Sequence, residues 1–206
     1  MIRKDLATFV QANRNDHIIR AQAGLRSGYS TLEHIYIIKQ LFEKSKEYDV
    51  TFYCCFLDYS KAFDTIEHEK IWQALKNQGI ENKYIRILKN ICDNSETKIK
   101  PEKEGKEIKI ERGLRQGDSL SPQLFTAILK EVFRQLDWEQ CGLSINGENL
   151  SNLRFAIDLI ISSSTGKGLQ AMLNDLLRES SKMGLDINTL KTKAMANNIA
   201  RTYSDQ

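Results

Sequence analysis

The sequence predicts an α+β fold, an antiparallel sheet backed by helices. Three observations carry that prediction. VTFYCCFLD (50–58) is rich in aromatic and β-favouring residues and apolar on both faces, as a buried central strand is. The stretches 97–110 and 143–150 have hairpin patterns around polar, glycine-containing centres. Amphipathic helical stretches are mixed among them without the one-helix-per-strand alternation of a doubly wound parallel sheet.

Taken in order, STLEHIYIIKQLFEKSKEY (30–48) reads as a helix. Ser30 and Glu33 form a capping pattern, and Leu32, Ile35, Ile38 and Phe42 recur at helical spacing. After the 50–58 strand, IEHEKIWQALKNQG (66–79) is a second helix, with Asp64 or Thr65 as cap and Gly79 at its end. ENKYIRILKNICDNS (81–95) is a third, striped by Tyr84, Ile85, Leu88 and Ile91. SPQLFTAILKEVFRQLDW (121–138) opens with a serine cap and a proline at the first helical position. LSINGENL (143–150) is a short turn-containing strand pair, and LRFAIDLIIS (153–162) is a strand or a tight hairpin. GLQAMLNDLLRESSKMG (168–184) is an amphipathic helix, and LDINTLKTKAM (185–195) is an edge strand with its exit.

The composition bounds the function. A chain of 206 residues with 41% hydrophobic residues makes one domain with a real core. Its net charge of +3 is compatible with a nucleic-acid partner without arguing for one. The cysteines at 54, 55, 92 and 141 form no CxxC pair, so they read as reduced core residues with no disulfide partner. His17, His34 and His68 show no HxxxH spacing. No apolar run is long enough to span a bilayer, and MIRKDLATFVQANRND lacks the apolar stretch of a signal peptide. The expectation is an intracellular protein, nuclear or cytoplasmic, with no membrane partner.

Four stretches carry possible chemistry. FLDYSKAFD (56–64) ends a buried strand on Asp58, whose oxygens suit a hard cation, although a turn-capping aspartate is the plainer reading. In ERGLRQGDSLSPQLF (111–125), Gly113 and Gly117 flank a polar tract that opens into a helix, a way to bring backbone close to a phosphate-bearing ligand. A helix cap explains Ser121 and Pro122 but not Arg115, Gln116, Gly117 and Asp118 in series. Lys191 and Lys193 follow a helix, and alone they read as solvated lysines on an edge strand. Arg26 stands between two glycines, placed to reach a triphosphate bidentately or to be a loop arginine.

In this order, QAGLRSGYST, FLDYSKAFDTIEH, RGLRQGDSLSP, FAID and GLDINTLKTK resemble the reverse transcriptase domain of non-LTR (LINE-type) retrotransposons. RQGDSLSP is the most specific of the five, and the resemblance runs from about residue 20 to about 195. It implies a polymerase palm with partial fingers: about 1–50 partial fingers, and about 51–195 palm with inserted fingers elements. It implies an RNA-directed DNA polymerase acting on an RNA template, a DNA primer and deoxynucleoside triphosphates. Two Mg2+ ions, roughly 3.5–4 Å apart in such sites, activate the primer hydroxyl and hold the leaving group.

By the same resemblance, Asp58 is the first metal-binding and catalytic aspartate. Phe63 is the aromatic that excludes a ribose 2′-hydroxyl. Gln116 and Gly117 pack beneath the templating base and incoming nucleotide, and Arg26 lies near the triphosphate. Lys191 protonates the pyrophosphate leaving group. Asp158 is the second aspartate of a motif that reads Phe or Tyr, Ala, Asp, Asp in the family and Phe155, Ala156, Ile157, Asp158 here.

Isoleucine thus replaces the stronger ligand of the pair and supplies no oxygen to magnesium. Neighbours on an extended segment point to opposite faces, so Asp158 is not expected to stand in for it without a register slip. The ions would rest mainly on Asp58, while Ile157 keeps the strand apolar. The chain also starts shortly before QAGLRSGYST and stops shortly after KTK, without the thumb and endonuclease of family proteins, as a fragment would. Three readings remain, of which two keep the family: a polymerase domain of impaired activity, or a catalytically dead retrotransposon relic with at most weak nucleic-acid binding. A chance match by an unrelated α+β protein is the third.

Overall fold

A computed structural model describes residues 31–93, 112–115, 118, 120–145 and 148–197. The hairpin expected at 97–110 and the Ser30 cap lie outside them, as do Arg26, Gln116 and Gly117.

The strand expected at 50–58 is β1 (Tyr53–Ser60), and it is central. It follows α1 (Thr31–Glu47) and runs into a short α2 (Ala62–Thr65). Then come α3 (His68–Asn77), α4 (Asn82–Asp93) and α5 (Ser121–Arg134). The strands β2 (Leu143–Ile145) and β3 (Glu148–Leu150) form a separate pair, while β4 (Asn152–Phe155) and β5 (Asp158–Ser163) form a tight hairpin. Last are α6 (Gly166–Lys182), β6 (Asp186–Ile187) and β7 (Lys193–Ala196). The order β4-β5-β1-β6, with β7 also on β1, is antiparallel at every described pairing.

Alternation along β1 divides the molecule. Cys55, Leu57 and Tyr59 join the main core with Ile66, just after α2, and with Ile71, Leu75, Phe125, Ile128, Ile161 and Leu176, contributed by α3, α5, β5 and α6. Phe52, Cys54 and Phe56 face the other way, into a smaller cluster with Leu41 and Phe42 of α1. Cys54 and Cys55 therefore lie on opposite faces, as their adjacency predicts. Asp58 continues the even-numbered set, on the face away from the main core.

Three local expectations are corrected. The helix predicted from residue 66 starts at His68, and Glu67 caps it without a side-chain hydrogen bond, in place of Asp64 or Thr65. Ile66 is extended and fully buried, and its carbonyl accepts from the Gly113 amide, so pairing with the 112–114 segment wins over helix. Ser121 is already helical rather than a cap, with Leu120 before it, and α5 ends at Arg134 so that Trp138 can turn back onto Phe133 (ring centroids 5.7 Å apart). The stripe of α1 is buried only in its second half: Phe42 stacks edge-on against Phe52 at 5.1 Å, whereas Leu32 is 70% and Ile35 61% exposed.

Tyr59 is buried with its hydroxyl 2.9 Å from Ser180 Oγ, and burial pushes its phenol up to about 12. A raised phenol favours the fold while neutral. That contribution is intact below the ordinary value near 10 and is lost as pH rises through about 12, a total of roughly 3 kcal/mol. Urea unfolding across this alkaline window is expected to show the decline, and Tyr59→Phe is expected to flatten it.

Candidate active site

β1 and β5 run antiparallel with Asp58 directly opposite Asp158. Directly opposed residues share a face of the sheet. Asp158 is therefore on the same side as Asp58, which corrects the expectation that it points away. The reason is that FAID is not one extended segment. Phe155 and Asp158 pair across a two-residue turn, with Ala156 at φ 54° and Ile157 beside it. Of the two readings of 153–162, a strand or a tight hairpin, the structure has the hairpin, and Ile157 lies in its turn rather than in a strand that it keeps apolar. It is half-buried at the bend and packs against the edge of the main core.

Two carboxylates opposed in this way repel. Asp158 is exposed at the sheet end, yet its carboxyl is held above the usual carboxylate range. Partial desolvation is the larger cause and the Asp58 charge the next, with Lys191 opposing both. The Lys191 ammonium lies 2.7 Å from Asp58 Oδ2, the carboxylate being 14% exposed and the lysine 68%. That hydrogen bond, and then the Asp58 charge, raise the lysine above its ordinary value.

The placement of Lys191 follows from the sheet edge. β6 pairs with Tyr59 and Ser60, β7 pairs with Tyr53 to Phe56, and residues 188–192 leave the edge between them. Asn188 anchors that excursion. Its amide donates to the Asp58 carbonyl (2.8 Å), and its Oδ1 accepts from the amides of Leu190 and Lys191 (3.1 and 3.3 Å). Sequence reading passed over Asn188; an asparagine heading a turn was the available signal.

Phe63 is on α2, half-buried against Phe125 with ring centroids 5.1 Å apart. The first half of the RGLRQGD loop is fastened to the same segment. Leu114 donates its amide to the Phe63 carbonyl, Gly113 bonds Ile66, and His68 Nε2 lies 2.7 Å from the Gly113 carbonyl. Arg112 pairs with Glu67 at 3.0 Å. Gly113 has φ +93°, and a Cβ there would come within 3.1 Å of the Asp64 carbonyl, so this approach requires glycine. His68, like Asn188, was missed, since nothing in its local spacing marks it.

Beyond Leu114, the Arg115 carbonyl accepts from Ser121 Oγ (2.6 Å), and Asp118 Oδ1 accepts from the Leu120 amide (3.1 Å). The described ends of the loop are thus tied to α2 and α5. Of the predicted site residues, the fold brings Asp58, Asp158 and Lys191 together and sets Phe63 in the short helix just after β1. Among the described residues there is no group of three or more His, Cys, Asp or Glu side chains disposed to hold a metal ion, and no helix is long and apolar enough to cross a membrane.

Comparison with known proteins bears on this arrangement. The family profile for reverse transcriptase (RNA-dependent DNA polymerase) matches residues 1–203. The Pol polyprotein of the R2 retrotransposable element of Nasonia vitripennis is 34% identical over 145 residues, covering 70% of this chain and 14% of that protein. Its Drosophila melanogaster counterpart, from R2DM, is 30% identical over 156 residues, covering 75% of this chain and 15% of that protein. The chain therefore spans about one-seventh of the length of these relatives. Among solved structures, telomerase from Candida tropicalis in complex with a fragment of telomeric RNA shares the fold. It has a TM-score of 0.70 at 18% identity, over 97% of this chain and 34% of that one. With a profile match over nearly its whole length and relatives among the R2 elements, the chain belongs to the reverse transcriptase family, on its non-LTR retrotransposon branch.

Proposed function

We propose that this chain is the palm, with partial fingers, of an RNA-directed DNA polymerase whose metal centre is incomplete. In this reading residues 1–50 are partial fingers and 51–195 palm with inserted fingers elements. RNA template, DNA primer and deoxynucleoside triphosphates are the partners. Asp58 and Asp158 are the metal-binding carboxylates, Phe63 faces the sugar, and Lys191 serves the leaving group. Arg26, Gln116 and Gly117 contact the nucleotide. The observation that carries the reading is the register of Asp58 opposite Asp158, from segments a hundred residues apart.

The donor set does not fit a pair of magnesium ions. Two carboxylates on one face are the right chemistry for a hard cation. Ile157 contributes no oxygen at the bend, and Asp58 already carries the Lys191 ammonium. Polymerisation by this chain is therefore strongly impaired. Primer extension on an RNA template with magnesium or manganese tests this: trace extension is expected, and robust extension by the chain as it stands would refute the impairment. A second reading, a retrotransposon relic without catalysis, is favoured by the same Ile157 and by the modest charge of +3, which gives little grip on phosphates.

Sugar selection gives a separate prediction. A ring against the sugar leaves no room for one more oxygen, so Phe63→Ala in an Ile157→Asp background is expected to admit ribonucleotides. The ratio of ribonucleotide to deoxynucleotide incorporation measures it, and an unchanged ratio removes Phe63 from that role.

A further inference from the structure

We infer that the Lys191 ammonium is the resident cation of the Asp58–Asp158 pair, and that a divalent ion enters this site only by displacing it. The inference rests on the reading of these aspartates as a metal centre and adds a competitor that reading does not contain.

Asp58 is largely buried and directly opposite a second carboxylate. A buried charge needs a partner, and like charges facing each other across a ladder destabilise the sheet. Lys191 meets both needs. It is 2.7 Å from Asp58 Oδ2, and its charge also acts on Asp158. The contact is held in place by more than a mobile side chain. Asn188 bonds the Asp58 carbonyl on one side and the Leu190 and Lys191 amides on the other, and Thr192 Oγ1 donates to the Asn188 carbonyl at 2.8 Å.

An ammonium is a compact, strongly hydrated point charge that makes charge-assisted bonds to carboxylate oxygen. A magnesium-sized ion needs the same oxygen within direct coordination distance, and the two cations repel. Charge decides which one stays. Asp58, Asp158 and Lys191 together leave one net negative charge, too little to draw a divalent ion past the lysine. An aspartate at position 157 would add the charge that tips the exchange toward metal. In this chain Ile157 therefore acts twice, by removing a ligand and by leaving the lysine without a strong rival.

The test is Mn2+ binding by the full chain, followed by loss of the free-ion paramagnetic resonance signal and by the Mn2+-induced rise in melting temperature. Lys191→Met is expected to bind Mn2+ about tenfold more tightly than the unaltered chain, the loss of one charge-assisted bond. Lys191→Arg is expected to stay weak, and Asp58→Asn combined with Lys191→Met is expected to lose the gain. Lys191 is 68% exposed, so the substitutions at 191 alone are expected to leave the fold intact, and the unliganded melting temperature of the Asp58→Asn double variant, whose aspartate is 14% exposed, checks that it folds. If Lys191→Met binds no better while Ile157→Asp does, the competition is wrong and the metal-centre reading stands. If no variant binds, Ile157→Asp included, both fall.

Discussion

Ile157→Asp is expected to raise primer extension on an RNA template roughly 100-fold or more, each tenfold being about 1.4 kcal/mol of barrier. Ile157 sits at the second position of the two-residue turn, next to Asp158 and beside the Asp58–Asp158 register pair. A carboxylate at that point adds an oxygen donor and a third negative charge to a face that holds two, and weakens the hold of Lys191 on Asp58. The fold has little to lose, because Ile157 is half-buried at the rim of the core rather than inside it. Single-turnover extension with and without Mn2+ gives the ratio. A variant no faster than the unaltered chain would show that the residue at 157 is not what limits catalysis.

Phe125→Ala is expected to cost about 3–5 kcal/mol in urea unfolding, among the largest effects of any single side chain here. Phe125 is fully buried on α5 and lies between two rings of the β1–α2 segment, Tyr59 at 6.4 Å and Phe63 at 5.1 Å. Its removal opens a cavity beneath the element that carries Phe63, so the loss falls on the core and on the site together. A cost below about 1 kcal/mol would mean that α5 does not pack on β1 through this residue.

Much of this was legible in the residues. Apolar character on both faces marked β1 as central, and hydrophobic periodicity located α3, α4, α5 and α6, because burial is written into spacing. The five motifs identified the family, and Asp58, Asp158 and Lys191, distant in sequence, do converge. The failures come from long-range contacts in some cases and from local turns in others. The start of α3 is displaced because Ile66 bonds Gly113, a partner 47 residues on. The orientation of Asp158 was misjudged because alternation holds along a strand and not through a two-residue turn. His68 was invisible because it acts on the Gly113 carbonyl, brought near only by the fold, whereas Asn188 heads a local turn whose signal was there to read.

The account rests on Asp58 and Asp158 sharing one face in direct register. Oxidative cross-linking tests that most directly. Opposed antiparallel residues have Cα atoms about 4.5–5.5 Å apart, within the range of about 4.4–6.8 Å that a disulfide spans. Asp58→Cys with Asp158→Cys is predicted to form that bond, located by peptide mapping, while Asp58→Cys with Leu159→Cys is not, since Leu159 opposes Leu57 on the core face. A bond from position 58 to 159, with none to 158, would contradict the account.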